Sequence, residues 1–410
     1  MNATTGKDRR GRLRQNHLSV VIPSRLLVLI LIIGIGLFQA SVWAQTTTKG
    51  ATLSFPLKYV ERGPISTKID LGRQEVKFRK EPNFGEGDKI VRQALKIGSN
   101  RDDFIGFAVN LTSRTLYLDL NQNLDLTDDP QGVYQSENIR GPSGLFAYFR
   151  GVRLNFRKGG IDRSYLLEPF YFLGENLNYI GIRSCYEGEI ELHGQKWQFQ
   201  VQDNLDGQFD AQDKFLITPV FRSGEPKGIP YRPMPVPKNL FVGGHQYQLG
   251  FAFGEAAGRS PVTVTFLETS SPMGEMALDG QFVRRLVLQG DARLVIVDSR
   301  DHTIPLPADN YRIEGVYLQP AADKPALASS SSETSRIAVT AGTLCRLKVG
   351  PPFVSSVAAD RKGSALQLRY ILRGAAGEEY SVINPDRRNP PKFIIYKGEQ
   401  QVANGSFQYG

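Results

Sequence analysis

Two short stretches of this sequence concentrate the side chains that bind hard metal ions. Calcium takes about six to eight oxygens at roughly 2.3–2.6 Å, so a single segment must turn several carboxylates and carbonyls inward. At least one of the two stretches is therefore predicted to bind calcium as a structural ion. The alternative is a pair of solvated β-turns, because Asn and Asp also favour turns by bonding their own backbone. The candidate ligands are Asp119, Asn121, Asn123, Asp125 and Asp128 in the first stretch, and Asn204, Asp206, Asp210 and Asp213 in the second.

The second stretch, VQDNLDGQFDAQDKF, resembles the calcium loops of EF-hands and dockerins. Its likeness rests on Gly207 at the position of the sharp turn and on Asp213 at the closing position, with Phe209 directed into the fold. It departs from that pattern at Gln202, where the first acidic ligand belongs. The resemblance implies a calcium ion held by the remaining oxygen ligands.

The first stretch, LDLNQNLDLTDDPQG, carries a weaker form of the same likeness. Leu124 replaces the turn glycine, where a positive φ is costly for leucine, and Pro130 stands at the closing position. Asp128 or Asp129 must then supply the last ligand. Aligning Asn121 with Asn204 also brings Asn123 onto Asp206, which predicts that the two stretches belong to an internal repeat.

Candidate catalytic groups are few. The run YEGEIELHG places Glu187, Glu189 and Glu191 on one face of a strand. Carboxylates two residues apart on a strand are separated by roughly 6.5–7 Å, which overlaps the separation used by inverting glycosidases. The alternative is a solvated outer face. The sequence contains no nucleophile elbow, metalloprotease helix or phosphate-binding loop, so a non-catalytic protein is predicted, with a hydrolase of glycans as the alternative.

Zinc is not predicted. The three histidines beyond the leader, His193, His245 and His302, are isolated in the sequence, and no C-x-x-C or Cys/His cluster occurs. The two cysteines, Cys185 and Cys345, either pair in an oxidising compartment or remain as unpaired thiols, the second being the interpretation we favour.

The N-terminus has the order of a secretory signal peptide. A basic segment precedes the apolar run Leu26–Phe38, and small residues precede a predicted cleavage after Ala44. The predicted location is therefore the periplasm, the cell envelope or the extracellular space. An uncleaved leader is the alternative, and it would anchor the chain to a membrane.

The charge of the remaining chain is small. The leader holds six of the 50 Lys and Arg residues and one of the 41 acidic residues, so its removal lowers the net charge from +9 to about +4. The rest of the chain has no long basic run. Nucleic-acid binding is therefore not expected.

The periodicity of the chain predicts a mostly β protein. Apolar and polar residues alternate with period two, and short glycine-containing turns separate the runs. We predict an antiparallel, hairpin-rich region over 45–275 that carries both acidic loops and a proline-rich linker at 224–239, followed by a C-terminal β-sandwich over 276–410. The segment Gly87–Gly98 is ambiguous, because its pattern also fits a short helix.

The C-terminal third carries a second resemblance. LPADNYRIEGVYL is similar to a strand entry of prealbumin-like and carboxypeptidase-regulatory-like sandwiches, and VGPPF, GEEY and NGSFQYG resemble the tail of uncharacterised secreted bacterial β-rich proteins. These resemblances imply a fold and no activity. The expected function is that of an exported binding or structural protein, stabilised by calcium, whose partner is a polysaccharide or another envelope protein.

Overall fold

Nearly all of the regular structure in this protein is β. The computed structural model describes residues 50–408, apart from gaps at 72–74, 99, 101, 142–143, 159–160, 173–177, 221–230, 255–260, 299–301, 322–323, 330–335, 364, 384, 386–387 and 389. Strands make up 61% of the structure and helices 1%, which confirms the mostly β prediction. The predicted signal peptide, 1–44, lies outside the described residues.

The N-terminal part of the chain forms strands that alternate with tight turns, and one short 3-10 helix at Pro130–Gly132. The strands are β1 (Thr52–Val60), β2 (Thr67–Asp70), β3 (Ile90–Lys96), β4 (Phe104–Asn110), β5 (Thr115–Leu118), β6 (Val133–Gln135), β7 (Glu137–Gly141), β8 (Gly144–Tyr148), β9 (Val152–Lys158), β10 (Ile161–Phe172), β11 (Asn178–Ile182), β12 (Cys185–Leu192), β13 (Gln195–Gln202), β14 (Lys214–Pro219), β15 (Met234–Pro235) and β16 (Asn239–Val242).

The C-terminal part continues in the same way. Its strands are β17 (His245–Phe253), β18 (Val262–Thr269), β19 (Met273–Asp279), β20 (Val283–Gln289), β21 (Leu294–Val297), β22 (Thr303–Pro307), β23 (Asp309–Leu318), β24 (Leu327–Ser329), β25 (Arg336–Val339), β26 (Leu344–Lys348), β27 (Val354–Lys362), β28 (Ala365–Arg373), β29 (Glu379–Val382), β30 (Lys392–Lys397) and β31 (Gln400–Ser406).

Sixteen of these strands form one continuous ladder. Its order is β15-β14-β13-β12-β1-β18-β17-β16-β21-β20-β23-β24-β29-β28-β27, and β25 also pairs with β23, at Asp309–Arg312. Smaller sheets are β2-β11-β10-β8-β7 with β9 on β10, then β3-β4-β5-β6, β22-β19-β26 and β30-β31. Most neighbours are antiparallel hairpins, as the period-two pattern predicts, whereas β16–β21 and β19–β26 are parallel pairs.

Three main cores lie between these sheets. Aromatic side chains from β13, β17 and β18, including Trp197, Phe199, Tyr247 and Phe266, fill the first core. The second core lies between the sheet of β3–β6 and the sheet that contains β10. The third is formed by β20, β21 and β23 with the three-stranded sheet of β19. The ladder therefore curls, since β13 faces β17 across the first core.

Several local predictions are corrected. The segment Gly87–Gly98 contains strand β3 and no helix, because all seven of its strand residues pair with β4 and Leu95 enters the second core. Part of the predicted linker 224–239 joins the ladder, since Met234–Pro235 pairs with β14. Its first residues, up to position 230, lie outside the described residues. The favoured interpretation of the cysteines is confirmed, because Cys185 and Cys345 are unpaired. Burial raises the pKa of the Cys185 thiol to about 12.

The predicted domain boundary falls within strand β19 (Met273–Asp279), which pairs with β22 and with β26. Strand β16, from the N-terminal side, pairs with β21 from the C-terminal side. The sandwich form of the C-terminal part and its independent folding stay predictions.

Candidate metal sites

The first acidic loop follows β5 and ends at the 3-10 helix. Its first acid, Asp119, is almost completely buried, and its carboxylate accepts the backbone N–H groups of Asn123 and Leu124, both at 3.0 Å. Burial raises the pKa of Asp119 above its usual value. Leu124 has a φ of +65°, which is the left-handed backbone that the sequence predicted to be costly there.

The other predicted ligands of this loop bond within the loop. Asn121 and Asn123 each accept a backbone N–H two residues further on, and Asp125 accepts both the N–H and the hydroxyl of Thr127. Asp128 accepts the side-chain amide of Asn123 at 2.7 Å. Among the described residues, the acids of this loop form no group of three whose oxygens lie together. Most side-chain oxygens of the first loop thus accept N–H groups of the same loop, and Lys80 outside it lies 3.6 Å from Asp125.

The second acidic loop, between β13 and β14, brings three acids together. Oxygen atoms of Asp203, Asp206 and Asp213 all lie within 4.8 Å of one another. Asp203 and Asp213 are only 3% and 1% exposed, whereas Asp206 is half-buried. We call this group the acidic cluster. Such a cluster of oxygens has the ligand chemistry that calcium requires.

Two of the predicted ligands are in the acidic cluster, and two are outside it. Asn204 and Asp210 instead accept backbone N–H groups two residues further on, at 3.0 and 2.7 Å. Asp203 was missed by sequence reasoning, which counted ligand positions from Gln202. The Gln202 side chain is buried and donates to the carbonyl oxygens of Ile65, Ile182 and Ser184, at 3.3, 3.2 and 2.8 Å, so it serves the core.

The turns of the two loops correspond in backbone conformation. Positive φ angles occur at Gln122 and Leu124 in the first loop and at Leu205 and Gly207 in the second. These positions match in the alignment that the sequence predicted.

The acids that enclose the turns are shifted by one residue relative to that alignment. Asp129 accepts the N–H of Leu120 at 2.9 Å, and Asp213 accepts the N–H of Asn204 at 2.7 Å. Asp129, and not Asp128, is therefore the closing acid of the first loop.

A buried cation lies beside the acidic cluster. The Arg163 guanidinium of β10 is 3.7 Å from Asp203 Oδ2, and the Tyr165 hydroxyl donates to the same oxygen at 2.7 Å. Burial nevertheless raises the pKa of Asp203 to about 6 and that of Asp213 to about 8. The one positive charge of Arg163 therefore does not balance the negative charge of the three carboxylates when all are ionised.

The second loop also joins two cores. Leu205 is completely buried in the second core, whereas Phe209 packs against the first, as the sequence predicted. An ion at the acidic cluster would therefore fasten the β13–β14 hairpin to the sheet of β10.

A further group of potential ligands includes two of the histidines that are isolated in the sequence. His193 Nε2 and His245 Nδ1 lie 3.2 and 3.1 Å from Glu268 Oε1. The two imidazole rings are stacked, with centroids 3.3 Å apart and planes at 7°. The sequence signal available was that both histidines adjoin glycine-containing hairpin turns.

The three glutamates considered as catalytic groups lie on or near the outer face of β12. The Gln200 side-chain amide donates to Glu187 at 3.0 Å, and the Lys196 ammonium lies 2.6 Å from Glu189. Glu191 is exposed. Gln200 lies directly opposite Glu187 on β13 and Lys196 lies diagonally across from Glu189, an arrangement typical of a polar sheet face.

A scan against protein-family models and searches of curated proteins and of solved structures found no match to this chain. Within the part of the chain that the structure describes, no helix has the length and apolar character needed to cross a membrane.

The raised pKa values of the acidic cluster predict a pH dependence of stability in the absence of metal. An acid whose pKa is higher in the folded protein than its usual value of about 3.9 binds its proton more tightly when the protein is folded. The contribution of Asp203 and Asp213 to the free energy of unfolding is therefore complete below about pH 4. It is lost as the pH rises through their folded-state pKa values of about 6 and about 8. Urea unfolding in EDTA should show a free energy of unfolding that falls from pH 5 to pH 8.5.

The matched variant for this prediction is Asp213→Asn. Its side chain keeps one oxygen to accept the N–H of Asn204 and loses the ionisation, so its decline between pH 6 and pH 8.5 should be shallower. Equal slopes in the two proteins would contradict the assignment of the pH dependence to Asp213.

Proposed function

We propose that this chain is an exported, non-catalytic binding or structural protein of the cell envelope or extracellular space, stabilised by calcium at the acidic cluster. The observation that carries the proposal is the convergence of Asp203, Asp206 and Asp213 where one loop joins two cores. Buried carboxylates at this spacing repel one another and lose hydration, and a bound cation offsets both costs.

The charges favour a divalent ion. Metal binding requires deprotonated ligands, and the three ionised carboxylates beside the single guanidinium of Arg163 then carry a formal charge of −2, which one calcium ion neutralises. Magnesium fits less well, because it demands a tight octahedron and keeps its waters. Exposed extracellular sites bind calcium with dissociation constants of about 10⁻⁴–10⁻³ M, which suits an exported protein.

Calcium should raise the stability of the protein modestly. At about 1 mM calcium, a site of this class adds about 0.4–1.4 kcal/mol to the free energy of unfolding. Asp206→Ala should remove most of this gain, because it removes one of the three carboxylate ligands. Asp206 is the half-buried member of the cluster, so its loss leaves the two buried acids and their hydrogen bonds in place. Thermal melts with EDTA, calcium and magnesium measure the effect, and magnesium should give much less.

The matched control is Asn123→Ala in the first loop, at the position aligned with Asp206. It should keep the calcium-dependent gain, since the described acids of that loop form no group of three. If a calorimetric titration with millimolar calcium shows no heat of binding, calcium is not part of the function. If Asp206→Ala and Asn123→Ala lose the calcium-dependent stabilisation equally, the ion does not bind at the second loop.

The proposed partner is a polysaccharide or another envelope protein. A pull-down against cell-wall and plant glycans, run beside a hydrolysis screen, separates this function from the alternative of a secreted glycan hydrolase. We expect binding without turnover. Turnover abolished by Glu187→Gln or Glu189→Gln would replace the proposed function by the hydrolase.

A further inference from the structure

Two hairpin turns meet at one end of the first core, and each presents a histidine. His193 is in the turn between β12 and β13 and has a φ of +48°, and His245 begins β17 directly after the turn at Gly243 and Gly244. Glu268 is on β18, which pairs with β17 along its length, and its Oε1 lies within 3.2 Å of a nitrogen of each histidine. Strands from distant parts of the chain thus bring two imidazoles and one carboxylate to the same place.

The spacing of the three ligand atoms matches a first coordination sphere. The two nitrogens lie 3.2 and 3.1 Å from Glu268 Oε1, and all three atoms lie within 4.8 Å of one another. Zinc binds imidazole nitrogen and carboxylate oxygen at about 2.0–2.2 Å, which puts neighbouring ligands of a tetrahedron about 3.3 Å apart. The observed separations are close to that value.

We propose that His193 Nε2, His245 Nδ1 and Glu268 Oε1 hold a divalent transition-metal ion of the zinc class, with the remaining coordination position open to solvent. Two imidazoles and one carboxylate are a ligand set that zinc uses in sites that keep an open position. Imidazole nitrogens select zinc, copper or nickel over calcium and magnesium. This site is therefore separate in place and in ion from the acidic cluster.

The side chains have the freedom that binding requires. An imidazole lone pair lies in the plane of its ring, so two parallel rings must turn until their planes converge on the ion. The side chains of His193, His245 and Glu268 are 41%, 36% and 32% exposed, so solvent leaves room for that rotation. Without a metal, both ring nitrogens lie within hydrogen-bond distance of Glu268 Oε1. A bound metal ion would take the place of the protons in those contacts.

Buried polar groups beside the cluster point to the same place. Tyr247 is completely buried, its ring centroid is 6.3 Å from that of His193 and 6.5 Å from that of His245, and its hydroxyl has no hydrogen-bond partner among the described residues. A buried polar group left without a partner is uncommon and marks places where a water, ion or ligand belongs.

A groove adjoins the proposed site. It has a volume of about 360 Å³, and its lining includes Gln195, Gly243 and Gly244, which adjoin the two histidine turns. Trp197, which also lines it, has an indole N–H without a hydrogen-bond partner among the described residues. Apolar side chains, among them Phe241, Ile296 and Ile304, line the rest of the groove, which is the lining typical of small-molecule sites.

The proposal is tested by metal titration of the chain without a histidine tag, after treatment with EDTA. Calorimetry should give one zinc ion per chain, and cobalt(II) should give the visible absorption of a low-coordinate nitrogen and oxygen site. His193→Asn, His245→Gln and Glu268→Gln should each weaken zinc binding roughly 100-fold or more, beyond the 10–100-fold typical of groups behind the ligands. Asparagine suits position 193 because it tolerates the left-handed backbone.

The matched control is His302→Gln, which removes an exposed histidine outside the cluster and should leave zinc binding unchanged. Melting temperatures in EDTA should be similar for all variants, which separates loss of a ligand from loss of the fold. Asp206→Ala should also keep zinc binding, so that failure of the calcium proposal leaves this one testable. Absence of zinc binding, equal loss in His302→Gln, or loss in Asp206→Ala would overturn the proposal.

Discussion

Arg285→Met should lower the free energy of unfolding by about 3–5 kcal/mol, the range measured when one partner of a buried ion pair is removed. The Arg285 side chain is completely buried. Its Nε and Nη2 donate to the two oxygens of Asp298 at 2.6 and 2.7 Å, and its Nη1 donates to the Ile217 carbonyl at 2.8 Å. The guanidinium also lies 3.6 Å from the ring centroid of Tyr231. Methionine fills the space but leaves the carboxylate and the carbonyl without these donors.

The matched control for this prediction is Arg369→Met. Arg369 is 62% exposed and forms a surface ion pair with Glu379 at 3.1 Å, so its loss should cost at most about 1 kcal/mol. Urea unfolding of both variants measures the difference. Adding Asp298→Leu to Arg285→Met should restore part of the loss, because it removes the abandoned charge. A loss below about 1 kcal/mol for Arg285→Met would show that the pair does not carry the stability assigned to it.

Gly207→Ala should have the second largest effect. Gly207 has a φ of +76°, a backbone that costs L-residues about 1–2 kcal/mol. A Cβ at this position would also overlap the guanidinium of Arg163, which is buried against the loop. Displacing a packed side chain costs about 1–3 kcal/mol more, so the free energy of unfolding should fall by about 2–5 kcal/mol.

Gly194→Ala separates the two causes. Gly194 has the same φ of +76°, but a Cβ there would meet no atom within 4 Å. Only the backbone cost of about 1–2 kcal/mol should therefore appear. If the two variants lose equal stability in urea unfolding, Arg163 does not pack on Gly207 as the structure describes.

The mostly β class could be predicted because alternation with period two is a local property of the chain. Hairpins such as β12–β13 and β16–β17 follow from glycine-containing turns between alternating runs. The segment Gly87–Gly98 could not be assigned in this way, because its pattern fits both a helix and a strand. Pairing with β4 decided it, and that partner is supplied by tertiary structure.

The acidic loops were located from the sequence, but their ligands were not. Counting from the EF-hand pattern placed the first position at Gln202 and passed over Asp203. The difference is decided by burial, since Gln202 bonds carbonyl groups of residues from distant segments, whereas Asp203 meets Arg163 and Tyr165 of β10. A template that counts positions has no access to such neighbours.

The sequence by itself determined the period-two strands, the hairpin turns and the positions of the two acidic loops, because each depends on residues that are close together in the chain. Only the tertiary structure decided which acids converge and that His193, His245 and Glu268 meet. The convergence of the acids depends on how one loop folds against β10. The meeting of the histidines and Glu268 depends on the order of strands in a curled ladder, which places turns from distant parts of the chain at the same end of one core. The free energy that selects this order comes from burying Trp197, Phe199, Tyr247 and Phe266 in one core. The positions of the polar side chains at the turns are a consequence of that packing.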